Sequence, residues 1–223
     1  SPLLDAPRFV PESQEDLAPS GAKARYAANV AAIRLAHTLT TEDRPATAAE
    51  QAVLARYGSW GAVPEVFDLR KENWAAERAE LKELLGERAY EAAAMTTINA
   101  HFTDPAYVRE IWAGLERLGF DGGRVLEPGA GAGTFIGLAH AKAAIIGVEM
   151  EPTTAAIAHA LYPHADIRAE SFVDTKLRGQ DVDAVVGNVP FSNVQLHDPV
   201  HNPDRRHSMH NHFIVKSLAL TRP

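Results

Sequence analysis

The sequence contains no cysteine, which excludes disulfides and thiolate metal sites. That absence is neutral on compartment, and a cytoplasmic protein is the simpler reading. No apolar run approaches the roughly 18 residues that a membrane-crossing helix requires. The first residues also lack a basic region followed by an apolar stretch, and no membrane partner is expected. Positive charge is in short supply. With 22 Lys and Arg against 29 Asp and Glu the formal net charge is −7, mildly against a free-standing nucleic-acid binder, whose non-specific affinity comes mostly from neutralised phosphates. What is present is ordinary for a packed protein: 223 residues, 46% of them hydrophobic, enough for one domain with an accessory region or two small ones.

Two stretches organise the chain. Arg124-Val125-Leu126-Glu127-Pro128-Gly129-Ala130-Gly131-Ala132-Gly133 and Ala184-Val185-Val186-Gly187-Asn188-Val189-Pro190-Phe191 each begin as a short apolar run. Such runs suit buried parallel strands. The first ends in three glycines, which let backbone N–H groups approach a ligand that a Cβ would hold away. The second ends in an amide, a proline and an aromatic. Ligands of open α/β sheets sit beyond the carboxyl ends of the strands, so both stretches would face one crevice. Ala144–Val148 reads as a further strand ending at Glu149, 20 residues after Gly129. Nucleotide-binding α/β units place there the carboxylate that accepts both ribose hydroxyls. Asp166–Arg168 is a short additional strand.

Residues 1–21 carry four prolines and no period and read as an extended arm or linker. Residues 22–95 read as helical. Tyr26, Val30, Ile33 and Leu35 form one stripe, and Thr47-x-x-Glu50 has the spacing of a capping box before Val53, Leu54 and Tyr57. Trp60, between two glycines, reads as a helix-packing anchor. A further helix spans Trp74 to about Met95 with a break at Gly86, placing Leu81, Leu84 and Leu85 on one side. Asp104-Pro105 is a strong helix start, followed by Val108, Ile111, Trp112, Leu115 and Leu118 at helical spacing and closed by Gly119. Pro152 opens another helix, with Ile157 and Leu161 inward.

Glu127-Pro128-x-x-Gly131-x-Gly133 followed by Asn188-Val189-Pro190-Phe191 resembles the S-adenosylmethionine-dependent N6-adenine DNA methyltransferases. The run from about Lys23 onward is similar to the N-terminal part of large bacterial proteins that fuse such an enzyme to a helicase. The resemblance implies a Rossmann-like α/β core over residues 96–223, preceded by the helical region. It implies S-adenosylmethionine as cofactor, held by Phe102, Thr103, Glu127, Pro128, Gly129, Ala130, Gly131, Gly133, Glu149, Met150, Glu170 and Phe172. Within that set, Phe102 and Thr103 would lie against the methionine part, Met150 would flank the adenine, and Glu170 and Phe172 would hold its N6 and ring. Asn188, Val189, Pro190 and Phe191 would be catalytic. The sequence departs from the family at Val189, where proline is usual, and at Ser171, which separates the acid from the aromatic. Val189 keeps the carbonyl but softens the turn. A NAD-binding loop is disfavoured, because Thr134 replaces the last glycine of G-x-G-x-x-G and Glu127 would repel a pyrophosphate. A carboxylate there suits a ligand that carries an ammonium and a sulfonium.

The expected partners are DNA and downstream helicase or target-recognition regions of the same polypeptide. Only about four strands are legible, so the sheet is expected to be incomplete, with the chain stopping where the turn into a fifth strand should begin. RNA- or protein-glutamine-directed transfer, and a catalytically silent cofactor- and nucleic-acid-binding module, stay open as alternatives. Arg205, Arg206, Lys216 and Arg222 against Asp198 and Asp204 could form a basic patch by the crevice or a solvated loop. His197, His201, His207, His210 and His212 lack the helical spacing of a zinc site, and no metal is expected; they read as loop and helix-start residues near the cleft, with Ser208 as the N-cap.

Overall fold

A computed structural model describes residues 8–12, 17–97, 103–178 and 180–223. Four strands, β1 (Gly123–Pro128), β2 (Ala143–Val148), β3 (Asp166–Arg168) and β4 (Ala184–Val185), form one parallel sheet in the order β3-β2-β1-β4. The α/β fold expected from the sequence is the one observed. Chain order reverses between β1 and β4, so the crevice of this sheet lies at their carboxyl ends. In register, Val125 pairs with Ile145, and Leu126 with Ile146 on one side and Val185 on the other. Successive side chains of a strand point to opposite faces. Accordingly Val125 and Ile145 join one hydrophobic cluster, while Leu126 and Ile146 join a second.

The first cluster runs from Tyr26 to Val186 and is built largely from the helical region. Helix α1 (Ala22–Glu42) buries Tyr26, Val30, Ile33, Ala36 and Leu39, with Leu35 only half-buried. Helix α2 (Ala48–Leu54) starts at the expected capping box, with Glu50 N–H donating to Thr47 Oγ1 and Thr47 N–H to Glu50 Oε2. Trp60 is fully buried, its ring 5.6 Å from that of Phe67 and 6.2 Å from that of Tyr26. Helix α3 (Ala75–Met95) is interrupted at Gly86, whose φ of 74° and ψ of 164° no helix accommodates.

Asp104 caps α4 (Pro105–Arg117) by accepting the Ala106 N–H at 2.7 Å. Val108 and Trp112 are buried, whereas Ile111 and Leu118 of the expected apolar set face solvent. The Trp112 indole N–H donates to the Phe135 carbonyl at 3.1 Å, fixing the one-turn helix α5 (Thr134–Gly137) that follows the glycines. Helix α6 (Pro152–Leu161) joins the helical region to the sheet, where the Tyr57 hydroxyl meets Thr154 Oγ1 at 2.9 Å. Helix α7 (Met209–Leu220) covers the opposite face, bringing Phe213 and Leu220 to Leu126, Ile146 and Val148.

Two segments outside the regular elements are tied to the rest of the fold. Residues 8–12 are packed down: Arg8 Nη2 donates to the Ala139 carbonyl at 2.8 Å and Phe9 lies 6.1 Å from the Tyr162 ring. After α7, Thr221 forms a parallel bridge with Val182, and the Arg222 N–H donates to the Val182 carbonyl at 2.9 Å. Among the described residues, no helix is long and apolar enough to cross a membrane.

Candidate active site

The loop after β1 takes its shape from its glycines. Gly129, Gly131 and Gly133 have φ of 73°, 54° and 89°, the left-handed region that side chains disfavour. At Gly133 a Cβ would also fall 2.5 Å from the Tyr162 ring. Gly129 and Ala130 N–H groups both donate to the Val148 carbonyl, at 2.8 and 2.9 Å, so the loop folds across the carboxyl end of β2.

Two carboxylates flank it. Glu127 is the penultimate residue of β1, 2% exposed, with Oε2 buried and unpartnered among the described residues. Burial, and secondarily the charge of Glu149, pushes its carboxyl well above the usual range. Glu149 directly follows β2. Its Oε2 accepts the Gly131 N–H at 2.9 Å and its Oε1 the Glu151 N–H at 2.8 Å. Burial raises its pKa too, opposed by those backbone donors. Glu151, 4% exposed, caps α6 by accepting the Thr153 and Thr154 N–H groups. Sequence reasoning missed that cap, although Glu151-Pro152 repeats the acid-proline pattern of Asp104-Pro105.

The second stretch arrives at the same place. A Cβ on Gly187 would lie 3.5 Å from the Pro128 carbonyl oxygen and 3.6 Å from Glu127 Cγ. One on Gly129 would lie 3.6 Å from Pro190 Cδ. The ends of β1 and β4 thus lie a methyl group apart at Gly187, and the glycine loop lies a methyl group from the Asn188–Phe191 turn at Gly129. Asn188 is exposed, and its side chain has no hydrogen-bond partner among the described residues. Val189 packs, half-buried, against the second hydrophobic cluster, so its side chain braces a turn that a proline ring would otherwise stiffen. Phe191 is 72% exposed, with the His210 ring 5.8 Å away and inclined by 35°.

Thr103 and Pro105 share an open pocket with Tyr57, Ala132, Thr134 and Tyr162, which brings Thr103 beside the glycine loop. Glu127, Glu149 and Asn188 do not line that pocket. Phe102 lies outside the described residues. Met150, beside Glu149, is 69% exposed. Glu170 has a buried Oε1 without a hydrogen-bond partner among the described residues. Phe172 is 3% exposed and packs at 4.8 Å on the Phe213 ring.

The charged segment after Asn188 requires correction. Lys216 is no part of a surface patch: it is 3% exposed and bonds Asp198 Oδ2 at 3.2 Å. His212 is fully buried, its Nε2–H donating to the same oxygen at 2.9 Å. Burial alone would raise the Asp198 carboxyl, but donors from His212, the His201 and Val200 backbone and Lys216 outweigh it and hold the group well below the usual range. The signal was the spacing: His212 and Lys216, four apart, share the inward side of α7 with Phe213 and Leu220. Arg222 pairs with Asp183, and Arg206 with Asp204. Ser208 stands at the N-cap position of α7 without capping it, its hydroxyl lying 3.1 Å from the His210 ring. Among the described residues no group of three His, Asp or Glu could hold a metal.

No family model matches this chain, and no curated protein matches it. Among solved structures, it is similar to a Listeria monocytogenes protein provisionally assigned as a class I S-adenosylmethionine-dependent methyltransferase, determined at 2.20 Å resolution. The identity is 14%, over 91% of this chain and 72% of that one, with a TM-score of 0.44. Any functional reading has to come from this chain's own residues.

Proposed function

We propose that the protein binds S-adenosylmethionine and transfers its methyl group to the N6 amine of an adenine in DNA. One observation carries the reading: the buried, unpartnered carboxylate of Glu127 lies between the glycine loop and the Gly187-Asn188 strand end. A carboxylate left without a partner in a dry site is costly, which an incoming cation would relieve. Bound S-adenosylmethionine supplies an electrophilic methyl on a sulfonium, and its ammonium gives Glu127 the missing partner. Glu149, already oriented by Gly131 and Glu151, is the acceptor for the ribose hydroxyls. Glu170 is the acceptor for the nucleoside's amino group, with Phe172 as the wall behind it.

An exocyclic aromatic amine is a weak nucleophile because its lone pair is delocalised. The Asn188 side-chain oxygen accepts one amine hydrogen, and the backbone carbonyl of Val189 or Pro190 accepts the other. Neither acceptor needs a shifted pKa, and together they aim the lone pair. Orientation of this kind can contribute about 7–11 kcal/mol. Phe191, exposed at the mouth, stacks on a base turned out of the duplex, worth roughly 1–3 kcal/mol. Downstream helicase or target-recognition regions would choose the sequence to be read.

Calorimetry with S-adenosylmethionine and with NAD tests the cofactor. Methylation assays on DNA, RNA and glutamine-bearing peptides then test the acceptor. Binding of NAD in preference to S-adenosylmethionine would sink the cofactor assignment. Product on RNA or peptide but not DNA would sink the target.

A further inference from the structure

Residues 186–208 carry the Asn188–Phe191 turn, yet their regular pairing is confined to an isolated bridge between Asp198 and Asn202. Irregular backbone of that length needs other bonds to hold one shape. Asn202, 2% exposed, supplies some: its Nδ2 donates to the Leu196 and His207 carbonyls at 2.7 and 3.1 Å, and its Oδ1 accepts the His207 N–H at 3.0 Å. Asp198, also 2% exposed, accepts the Val200 and His201 N–H groups at 2.9 and 3.0 Å and is gripped from α7 by His212 and Lys216. The same Lys216 ammonium donates to the Phe172 and Val173 carbonyls, at 2.7 and 2.9 Å. One buried cation thus joins the segment that carries the target turn to the segment that follows β3. A buried ion pair is weak evidence for a stabilising device, and fixing the register of neighbouring segments is its best-attested use.

We infer that Asp198, held by His212 and Lys216, is a positioning residue for the Asn188–Phe191 turn, and that Lys216, through the Phe172 and Val173 carbonyls, couples this turn to the nucleoside wall at Phe172. Filling the nucleoside pocket then orders the turn that receives the target amine. The coupling rests on the cofactor reading above; the positioning does not. At the front of α7 two further contacts act in the same direction: the Met209 N–H donates to the Ser192 carbonyl at 3.3 Å and His210 stands against Phe191.

Removing either charge alone strands the other, so the informative variant is the Asp198→Asn, Lys216→Met double substitution, which removes both. Amide hydrogen exchange across residues 188–196 is measured for this variant and the wild-type chain, each free and saturated with S-adenosylmethionine. The expected result is slower exchange on saturation in the wild type. In the double variant, saturated with the same ligand at whatever concentration its own affinity requires, that slowing is lost. An anchor without coupling would quicken exchange equally in both states and leave their ratio unchanged, which overturns the coupling and spares the cofactor reading. If the wild type does not bind the ligand, the cofactor reading falls and takes the coupling with it. The free chains then decide the positioning: equal exchange in both overturns it, and faster exchange in the double variant sustains it.

Discussion

The carboxylate of Glu149 holds the backbone N–H of Gly131 at 2.9 Å, so the acid after β2 and the loop after β1 form one unit. Replacing Glu149 with Ala removes that tie together with the two charge-assisted hydrogen bonds to the ribose proposed above. A net loss of about 3 kcal/mol follows, or roughly a hundredfold in Kd for S-adenosylmethionine by calorimetry. An unchanged Kd would remove Glu149 from the pocket.

Glu127 offers a test by pH. Its raised pKa means that the free protein keeps it protonated at pH values where the unfolded chain has already ionised it. Stability is therefore fullest below the unfolded pKa and declines as pH rises toward the folded one. Glu127→Gln should flatten that decline, read as a smaller fall of melting temperature with pH, while weakening cofactor binding. In the wild type, binding a cation should expel the proton, so affinity rises with pH. Titrations in buffers of different ionisation enthalpy would detect the release.

Asn188 and Phe191 are exposed, so truncating either should change stability by no more than about 0.5 kcal/mol. Asn188→Ala should leave cofactor binding intact and cut turnover by roughly a hundredfold or more. Phe191→Ala should act mainly on KM for DNA, by about 1–3 kcal/mol. Steady-state kinetics with saturating cofactor separates the two. Undiminished turnover in Asn188→Ala would end its catalytic assignment.

Gly133→Ala tests the loop itself. The φ of 89° and the 2.5 Å approach to the Tyr162 ring leave a methyl no room. Loss of cofactor binding is expected, together with a lowered melting temperature. A variant that binds normally would show the loop to be more yielding than its backbone implies.

Much of this was readable in residue order. β1, β2 and β4 announced themselves through short apolar runs, as strands buried on both faces require, whereas β3, Asp166–Arg168, is neither apolar throughout nor buried. The Thr47 capping box, the Asp104-Pro105 start and the Gly86 break are local too, governed by neighbours within a few positions. Ile111 and Leu118 mark the limit of that logic: periodicity gave the helix, but not which of its apolar residues would find a covering layer.

Chemical type and spacing along the chain determined the strand ends, the glycine loop and the acid that follows β2, because backbone sterics and short-range hydrogen bonds act on adjacent residues. Tertiary structure alone decided that Gly187 comes within a methyl group of Glu127, and Pro190 within a methyl group of Gly129. It also decided that Lys216, Asp198 and His212 are buried together. Whether a charge is solvated or desolvated depends on which distant segments close over it. In this chain α7 folds back over the β4 end, and a lysine that reads as surface becomes a cation at the join of three segments.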